Sequence, residues 1–414
     1  MQLQAKNTSH KSKTLVTAIL GKMSGISKPR QKFITSIVIL YLSLRGRYTF
    51  KGFERYGEYC EKSYRLQFEK PFDFLEFNNI LILENLSREL ILAFDPSYLP
   101  KSGKKTPNID RFWSGCLGKA VKGIEIGGLG VVDVVQNTAF NLEAIQTPNQ
   151  TELKSKGQTL IDHYASIIIE RKDTLEGLSK YLVVDGYFSK VSFVDQVLDN
   201  TNLHIVSKLR KDANLKYLYN GDQKGGRGRP KKFSGKVNLD DLDKGVFKET
   251  HKDDDCIIYE AIVWSVSLKR KIKVAYVQFL KENMPSKQIA ILFSTDLELS
   301  GYQIYKYYKA RYQIEFLFRD GKQHLGLTHC QARSENKLYF HFNTSLTAIG
   351  VAKVAHYLQQ QNGQNLPRSL ADIKTSYFNE LMLNLFLSNF QIDPNLEKNK
   401  LVWQKLLDFG KIAA

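Results

Sequence analysis

The sequence predicts an α/β protein with helical blocks at both ends, and three observations carry that expectation. A basic, mostly helical block over residues 1–84 gives way to short apolar runs of strand length. Those runs alternate with helical periods up to about residue 208. After a second group of alternating runs, a long helical pattern begins near Leu299 or Ser300. Strand and helix periods that alternate in this way mark a sheet covered by helices. The chain of 414 residues is 43% hydrophobic and 25% charged, a globular composition long enough for roughly two or three domains.

The elements follow in order. Residues 1–84 hold a Lys/Arg-rich arm (Lys11, Lys13, Lys22, Lys28, Arg30, Lys32), an apolar helix ending near Leu44, and a segment that interleaves charge with aromatics at helical period. The block has a net charge of +7. It reads either as an amphipathic helical domain with a wet face or as a DNA-binding module. "RELILAFDPSYLP" is a strand expected to stop at Asp95-Pro96, because proline cannot continue the ladder. "IEIGGLGVVDVV" and "TAFNLEAIQT" are the next strands, with Gly127, Gly128 and Gly130 marking a bulge or a close backbone approach. A helix from about Thr159 to Leu178, a strand ending on Asp185, a helix over about Lys190 to Asp199 and the strand "LHIVSKL" complete this unit. Residues 209–289 read as a β-rich insertion containing a basic surface loop, Lys224 to Lys236, with six basic residues, four glycines and no acid. The strand "QIAILFSTD" follows, then the long helix, a second helix and a helical tail over 361–414.

Charge narrows the function. Sixty Lys+Arg against 42 Asp+Glu give a formal net charge of +18, which fits a polyanionic partner, nucleic acid or an anionic membrane surface. The most apolar early run, Phe33 to Leu44, is too short to span a bilayer, and no cleavage site for a signal peptide follows it. No basic helix with a strong apolar face suggests membrane binding. The four cysteines (Cys60, Cys116, Cys256, Cys330) contain no Cys-x-x-Cys pair, and the eight histidines show no ligand spacing. A disulfide framework and a zinc cage are both disfavoured, which fits a reducing cytosol.

The residues that could carry chemistry are acids and cations. Asp95 and Asp185 each stand at the end of an apolar strand, where rigid backbone can aim a carboxylate at a hard metal ion such as Mg²⁺. A strand-end aspartate also commonly caps a turn. On the long helix, Tyr308, Arg311, Glu315 and Lys322 fall within roughly 60° of one another at about 100° per residue. That stripe can hold a phosphate between two cations while Glu315 reaches a metal. It can equally be a solvated face with an Arg311–Glu315 ion pair.

These residues resemble those of a known family. Tyr308-x2-Arg311-x3-Glu315-x6-Lys322, "FDPSYLPKSGKKT" around Asp95 and "VVDGYFSK" around Asp185 occur in the order found in DDE transposases of the bacterial cut-and-paste insertion-sequence group that carries the YREK signature. The resemblance covers roughly residues 85–360, is weak over the N-terminal block and is absent over the last fifty residues. It implies an RNase H-like mixed-sheet core in two parts, 85–208 and 290–360, interrupted by the β-rich insertion of 209–289. The N-terminal block 1–84 would bind DNA, and the tail 361–414 would be a dimer contact.

The resemblance further implies that Asp95, Asp185 and Glu315 hold two Mg²⁺ ions, with Mn²⁺ able to substitute. Tyr308, Arg311, Lys322 and Lys101 would grip phosphates. The activity would be cleavage at the terminal inverted repeats, a hairpin intermediate, and joining of 3′-hydroxyl ends to target DNA. The partners would be double-stranded DNA and a second copy of the chain, with no membrane. The setting would be the bacterial cytoplasm at the nucleoid. The alternatives are an RNase H-like structure-directed nuclease and a domesticated, inactive DNA-binding protein. Two features stand outside the signature. Arg227 and Arg229 in "GRGRPKK" suit an extended minor-groove peptide or a basic loop touching phosphates. Trp264 in the insertion suits a base-stacking role or core packing.

Overall fold

The computed structural model describes residues 8–223, 229–280, 288–361, 369–390 and 397–412. Five helices come first: α1 (Thr8–Lys22), α2 (Lys28–Ser43), α3 (Phe50–Tyr56), α4 (Glu61–Glu69) and α5 (Phe74–Asn85). Strands β1 (Leu90–Pro100), β2 (Asp110–Ser114), β3 (Lys119–Asp133) and β4 (Thr138–Gln146) follow. Helices α6 (Gln150–Ser155), α7 (Leu160–Ile169) and α8 (Lys172–Leu178) lead to β5 (Tyr181–Val184), then α9 (Val191–Asn200) and β6 (His204–Leu209). The middle of the chain supplies β7 (Leu215–Leu218), β8 (Phe233–Lys236), β9 (Lys248–Lys252), β10 (Cys256–Ser265), β11 (Arg270–Phe279) and β12 (Gln288–Ser294). Helices α10 (Gly301–Arg311), α11 (Gln313–His324), α12 (Glu335–Gln361), α13 (Leu370–Phe390) and α14 (Glu397–Asp408) close the chain.

The expected mixed α/β architecture with helical ends is what forms. Among the described residues the strands make one sheet in the order β2-β3-β1-β5-β6-β12-β11-β10-β7-β8, with β4 on β3 and β9 on β10. Only β1–β5 and β5–β6 pair in parallel among the described residues. The β4-to-β5 and β5-to-β6 connections, which return the chain to pair in parallel, therefore run through helices α6–α8 and α9. The strands of 209–289 do not stand apart from the rest. They continue the same sheet through the antiparallel β6–β12 and β12–β11 pairs.

Neighbouring residues of β1 serve opposite faces. The Phe94 ring packs on Tyr164 of α7, with centroids 5.5 Å apart, while Asp95 turns to the face covered by α10 and α11. The buried helix α12 packs against β4 and α11. Its Phe340 is surrounded by Phe33, Phe68, Phe72 and Phe74, so the aromatics interleaved through the N-terminal block are its inner face. Arg30, read as part of a basic arm, turns inward. It donates to the Gln67 and Lys70 carbonyls and stacks over Phe33, Phe72 and Phe340.

Four expectations are corrected. β1 does not stop at Asp95-Pro96 but runs on to Pro100, paired with β3 throughout. Its pairing with β5 ends at Phe94–Val184, so beyond that point β1 is an edge and can carry a residue without an N–H. β2, a short strand, was not anticipated. The helix expected over Thr159 to Leu178 breaks at Glu170-Arg171, where Arg171 turns to donate to Glu143 of β4 at 2.5 Å. The basic loop ends in a strand, β8, and Arg227 lies outside the described residues. Among the described residues no helix is long and apolar enough to cross a membrane.

Candidate active site

Three elements bring the candidate acids together. Asp95 sits inside β1 opposite Gly128 of β3. Asp185 follows the last residue of β5 and heads a short 3₁₀ turn, Gly186–Phe188. Glu315 lies in the first turn of α11. The long helix expected from Ser300 starts there, with a Ser300–Gln303 capping box, but it breaks at Tyr312. The Tyr312 carbonyl accepts from Glu315 N at 3.1 Å, a tightened turn between the Arg311 and Glu315 positions.

The glycines of β3 explain how α11 comes so near. A Cβ on Gly128 would stand 2.0 Å from Phe318 Cζ, so the ring of Phe318 occupies the place of the missing side chain. The β3–β4 register also shifts between Leu129 and Gly130, so the glycine run carries both a bulge and a close approach. Phe318 lies one turn after Glu315, and its seat on Gly128 sets the height of Glu315 above the sheet. The sequence signalled this approach through the glycines but did not identify its partner.

Arg311 is the hub of the group. It is only 3% exposed. Its Nη2 donates to Glu315 Oε1 at 3.0 Å, and its Nη1 stands 3.8 Å from Asp95 Oδ1. Tyr308 and Tyr312 flank the guanidinium, with centroids 5.6 and 5.2 Å away. The Tyr308 hydroxyl donates to Asp185 Oδ1 at 3.2 Å. One connected set therefore reaches all three acids. Nε and Nη1 of Arg311 have no hydrogen-bond partner among the described residues.

The electrostatics follow from burial and crowding. Burial pushes the Asp95 carboxyl up to about 7; Arg311 opposes this, and Glu315 and Asp185 add to it. Burial works against the charge of Arg311, but Asp95, Tyr308, Glu315 and Asp185 outweigh it and raise its pKa. Burial likewise raises the Tyr308 phenol, so it stays a donor. Lys322, two turns beyond Glu315, has its ammonium pushed down by burial and held up by Cys116 and Asp95.

The remaining candidates lie elsewhere. Lys101 follows the end of β1 with its charge disfavoured by burial, close to Cys330 and His341 rather than to the acids. Arg229 is exposed just before β8, at the far edge of the sheet. Trp264 is half-buried in β10 and packs on Phe233 with centroids 5.6 Å apart.

The donor set is all oxygen and its charges repel, which suits a hard divalent cation. As the side chains stand, no group of three or more His, Cys, Asp or Glu among the described residues is gathered closely enough to hold one. The Arg311 guanidinium bridges Asp95 and Glu315 instead.

The family model of the transposase DDE domain matches residues 157–350. That stretch includes Asp185, Tyr308, Arg311, Glu315 and Lys322, and Asp95 precedes it. The match supports a DDE transposase as the class of this chain. The chain is also similar to a piggyBac transposase solved by cryo-EM as a synaptic complex with hairpin DNA, at 12% identity and a TM-score of 0.41, over 98% of this chain and 84% of that one. No curated protein matches.

Proposed function

We propose that this chain is a divalent-metal-dependent transposase that cleaves DNA at the terminal inverted repeats of an insertion sequence and joins the 3′-hydroxyl ends to target DNA. The observation that carries the proposal is Arg311. A guanidinium this deeply buried normally has its N–H groups satisfied, yet Nε and Nη1 lack hydrogen-bond partners among the described residues, beside three converging acids. Such a fork is suited to the non-bridging oxygens of a phosphodiester.

In this reading Asp95, Asp185 and Glu315 hold Mg²⁺ or Mn²⁺, two ions in the complete site. Bound metal would lower the pKa of the attacking water or 3′-hydroxyl and neutralise the leaving oxygen of an in-line displacement. The chain's own residues do the rest. Arg311 Nη2 holds Glu315 at 3.0 Å, so a bound ion would compete with Arg311 for that carboxylate, while Nε and Nη1 face the phosphate. Tyr308 holds Asp185 in orientation through its hydroxyl. With its carboxyl pushed up to about 7 by burial, Asp95 exchanges a proton near neutral pH, and a bound cation would favour its ionised form. Lys322 neutralises phosphate further along the strand. The new phosphorus–oxygen bond forms as the old one breaks, so both cleavage and joining can use one site. The five-part division at 84, 208, 289 and 360, the hairpin intermediate, the homodimer and the location at the bacterial nucleoid belong to the same proposal.

The test is excision of a plasmid-borne copy with its flanking DNA by wild type, Asp185→Ala and Glu315→Ala. Both variants are expected to lose excision, and wild-type excision by either would make the assignment wrong. Metal binding has its own readout. At a hundred times the Kd, Mn²⁺ should stabilise the wild type against thermal unfolding by about 2.7 kcal/mol, and neither variant should gain that stabilisation.

A further inference from the structure

The β2–β3 hairpin carries exposed apolar side chains beside the candidate active site. Trp113 is 64% exposed and Leu117 58%, whereas Phe112 and Ser114, which alternate with Trp113, are buried. The tip is Gly115-Cys116-Leu117-Gly118, with Gly118 at φ 60° closing the turn. Register fixes what stands around the ring. Trp113 is opposite Ala120, and Arg111 is opposite Lys122, so on one face the indole meets no bulky partner and has cations beside it.

Charge and position point the same way. Between Lys101 and Lys122 there are six Lys/Arg and one acid, Asp110. Its carboxylate is already taken by the backbone N–H groups of Arg111 and Gln150, both at 2.8 Å. The cations therefore outnumber the acids six to one in this stretch. Stepping by twos along β3 from Lys122 leads to Gly128, opposite Asp95 on the face that α11 covers. The tip residue Cys116 lies near Lys322 in the C-terminal half of α11.

Single exposed aromatics are ordinary on protein surfaces. A tryptophan and a leucine together at the tip of a short two-stranded arm, amid an excess of cations, stay mostly exposed among the described residues. We propose that the hairpin tip is a DNA wedge: Trp113 and Leu117 pack against bases at an opened step next to the cleavage site, while Arg111, Lys119 and Lys122 hold the flanking phosphates. The proposal rests on the DNA-cleaving reading. The cations complement any polyanion, but the apolar tip matches base faces, and inserted apolar side chains are a recurrent way to hold a distorted step.

The experiment uses the full chain without metal, in a Trp264→Phe, Trp403→Phe background that leaves Trp113 as the reporter. Binding of a labelled duplex with a central mismatch, of its fully paired counterpart and of heparin is followed by anisotropy and by tryptophan fluorescence. The mismatched duplex should bind more tightly, because part of the opening cost is already met, and it should quench Trp113; heparin should bind without quenching. In the unsubstituted background, Trp113→Ala and Leu117→Ala should each weaken binding of the mismatched duplex about tenfold and leave heparin binding unchanged, while Trp113→Phe restores most of the loss. Both side chains are solvent-facing, and unchanged melting temperatures would confirm that the variants fold. Mismatch preference that survives in the alanine variants, or equal quenching by heparin, overturns the wedge. A bound duplex with a silent Trp113 sinks the wedge alone. Failure to bind any duplex sinks the DNA reading and the wedge with it.

Discussion

Burying a guanidinium costs several kcal/mol unless its charge and N–H groups are matched, and Arg311 is matched only in part. Asp95 and Glu315 balance its charge, while two of its nitrogens, Nε and Nη1, have no hydrogen-bond partner among the described residues. Arg311→Lys keeps the charge but replaces the planar fork with a single ammonium. It should fold normally and slow cleavage about ten- to a hundredfold in a single-turnover assay; an unchanged rate would remove Arg311 from phosphate binding. Lys322→Ala should weaken DNA binding uniformly across sequences and lower the slope of log K against log salt by about 0.9. An unchanged slope would count against a phosphate contact. The spacing of Tyr308, Arg311, Glu315 and Lys322 was legible because helical periodicity puts them on one side. The division of labour was not: Tyr308 serves Asp185 across 123 residues of chain, and Arg311 reaches Asp95 on β1. Spacing along one helix says nothing of partners on other elements.

Elements set the site through two close approaches. β1 can carry Asp95 and Pro96 in mid-strand only because β5 ends beside Phe94, and α11 can approach only because Gly128 has no side chain under Phe318. Gly128→Ala places a methyl where the ring lies, so either α11 or Phe318 must move. Overpacking of this kind costs about 1–3 kcal/mol, which thermal unfolding would read. A shift of about 1 Å in α11 should also cost about a hundredfold in cleavage, since Glu315 moves with it. In Phe318→Ala the same glycine substitution should be nearly harmless, giving a strongly non-additive cycle; additive effects would mean that the ring is not what the methyl meets. The glycine run announced a close approach, but the partner lay 190 residues away in sequence and had no local signal. The continuity of the sheet through β6 and β12 was hidden for the same reason, since Leu209 and Ile291 are paired by tertiary structure alone.

At the scale of the whole molecule, the helical N-terminal block is joined to the rest through a shared core, and its aromatic periodicity, which looked like a half-wet face, is the packing surface for α12. His341 of α12 sits in that junction, 1% exposed. Its Nε2–H donates to the Gly326 carbonyl at 2.9 Å, which leaves Nδ1 to accept from the Tyr41 hydroxyl of α2 at 2.6 Å. Only the neutral ring satisfies both bonds, and burial pushes its pKa down to about 3. The unfolded chain, with histidine near 6.5, therefore binds a proton that the folded chain refuses. Between pH 6.5 and about 3, stability falls as pH falls, with a limiting slope of about 1.4 kcal/mol per pH unit from this one residue. Above pH 6.5 the residue contributes no pH dependence. His163, pushed by burial down to about 4, acts with the same sign, whereas Asp95, pushed up to about 7, acts with the opposite sign, so the difference between wild type and a His341 variant, not the wild-type slope alone, isolates His341. His341→Gln keeps polar groups in the junction but cannot take up the proton. Its melting temperature should lie below wild type at pH 7.5 and fall less steeply on acidification, so that the two curves converge towards pH 4. Parallel curves across that range would show that His341 is not a source of the acid sensitivity.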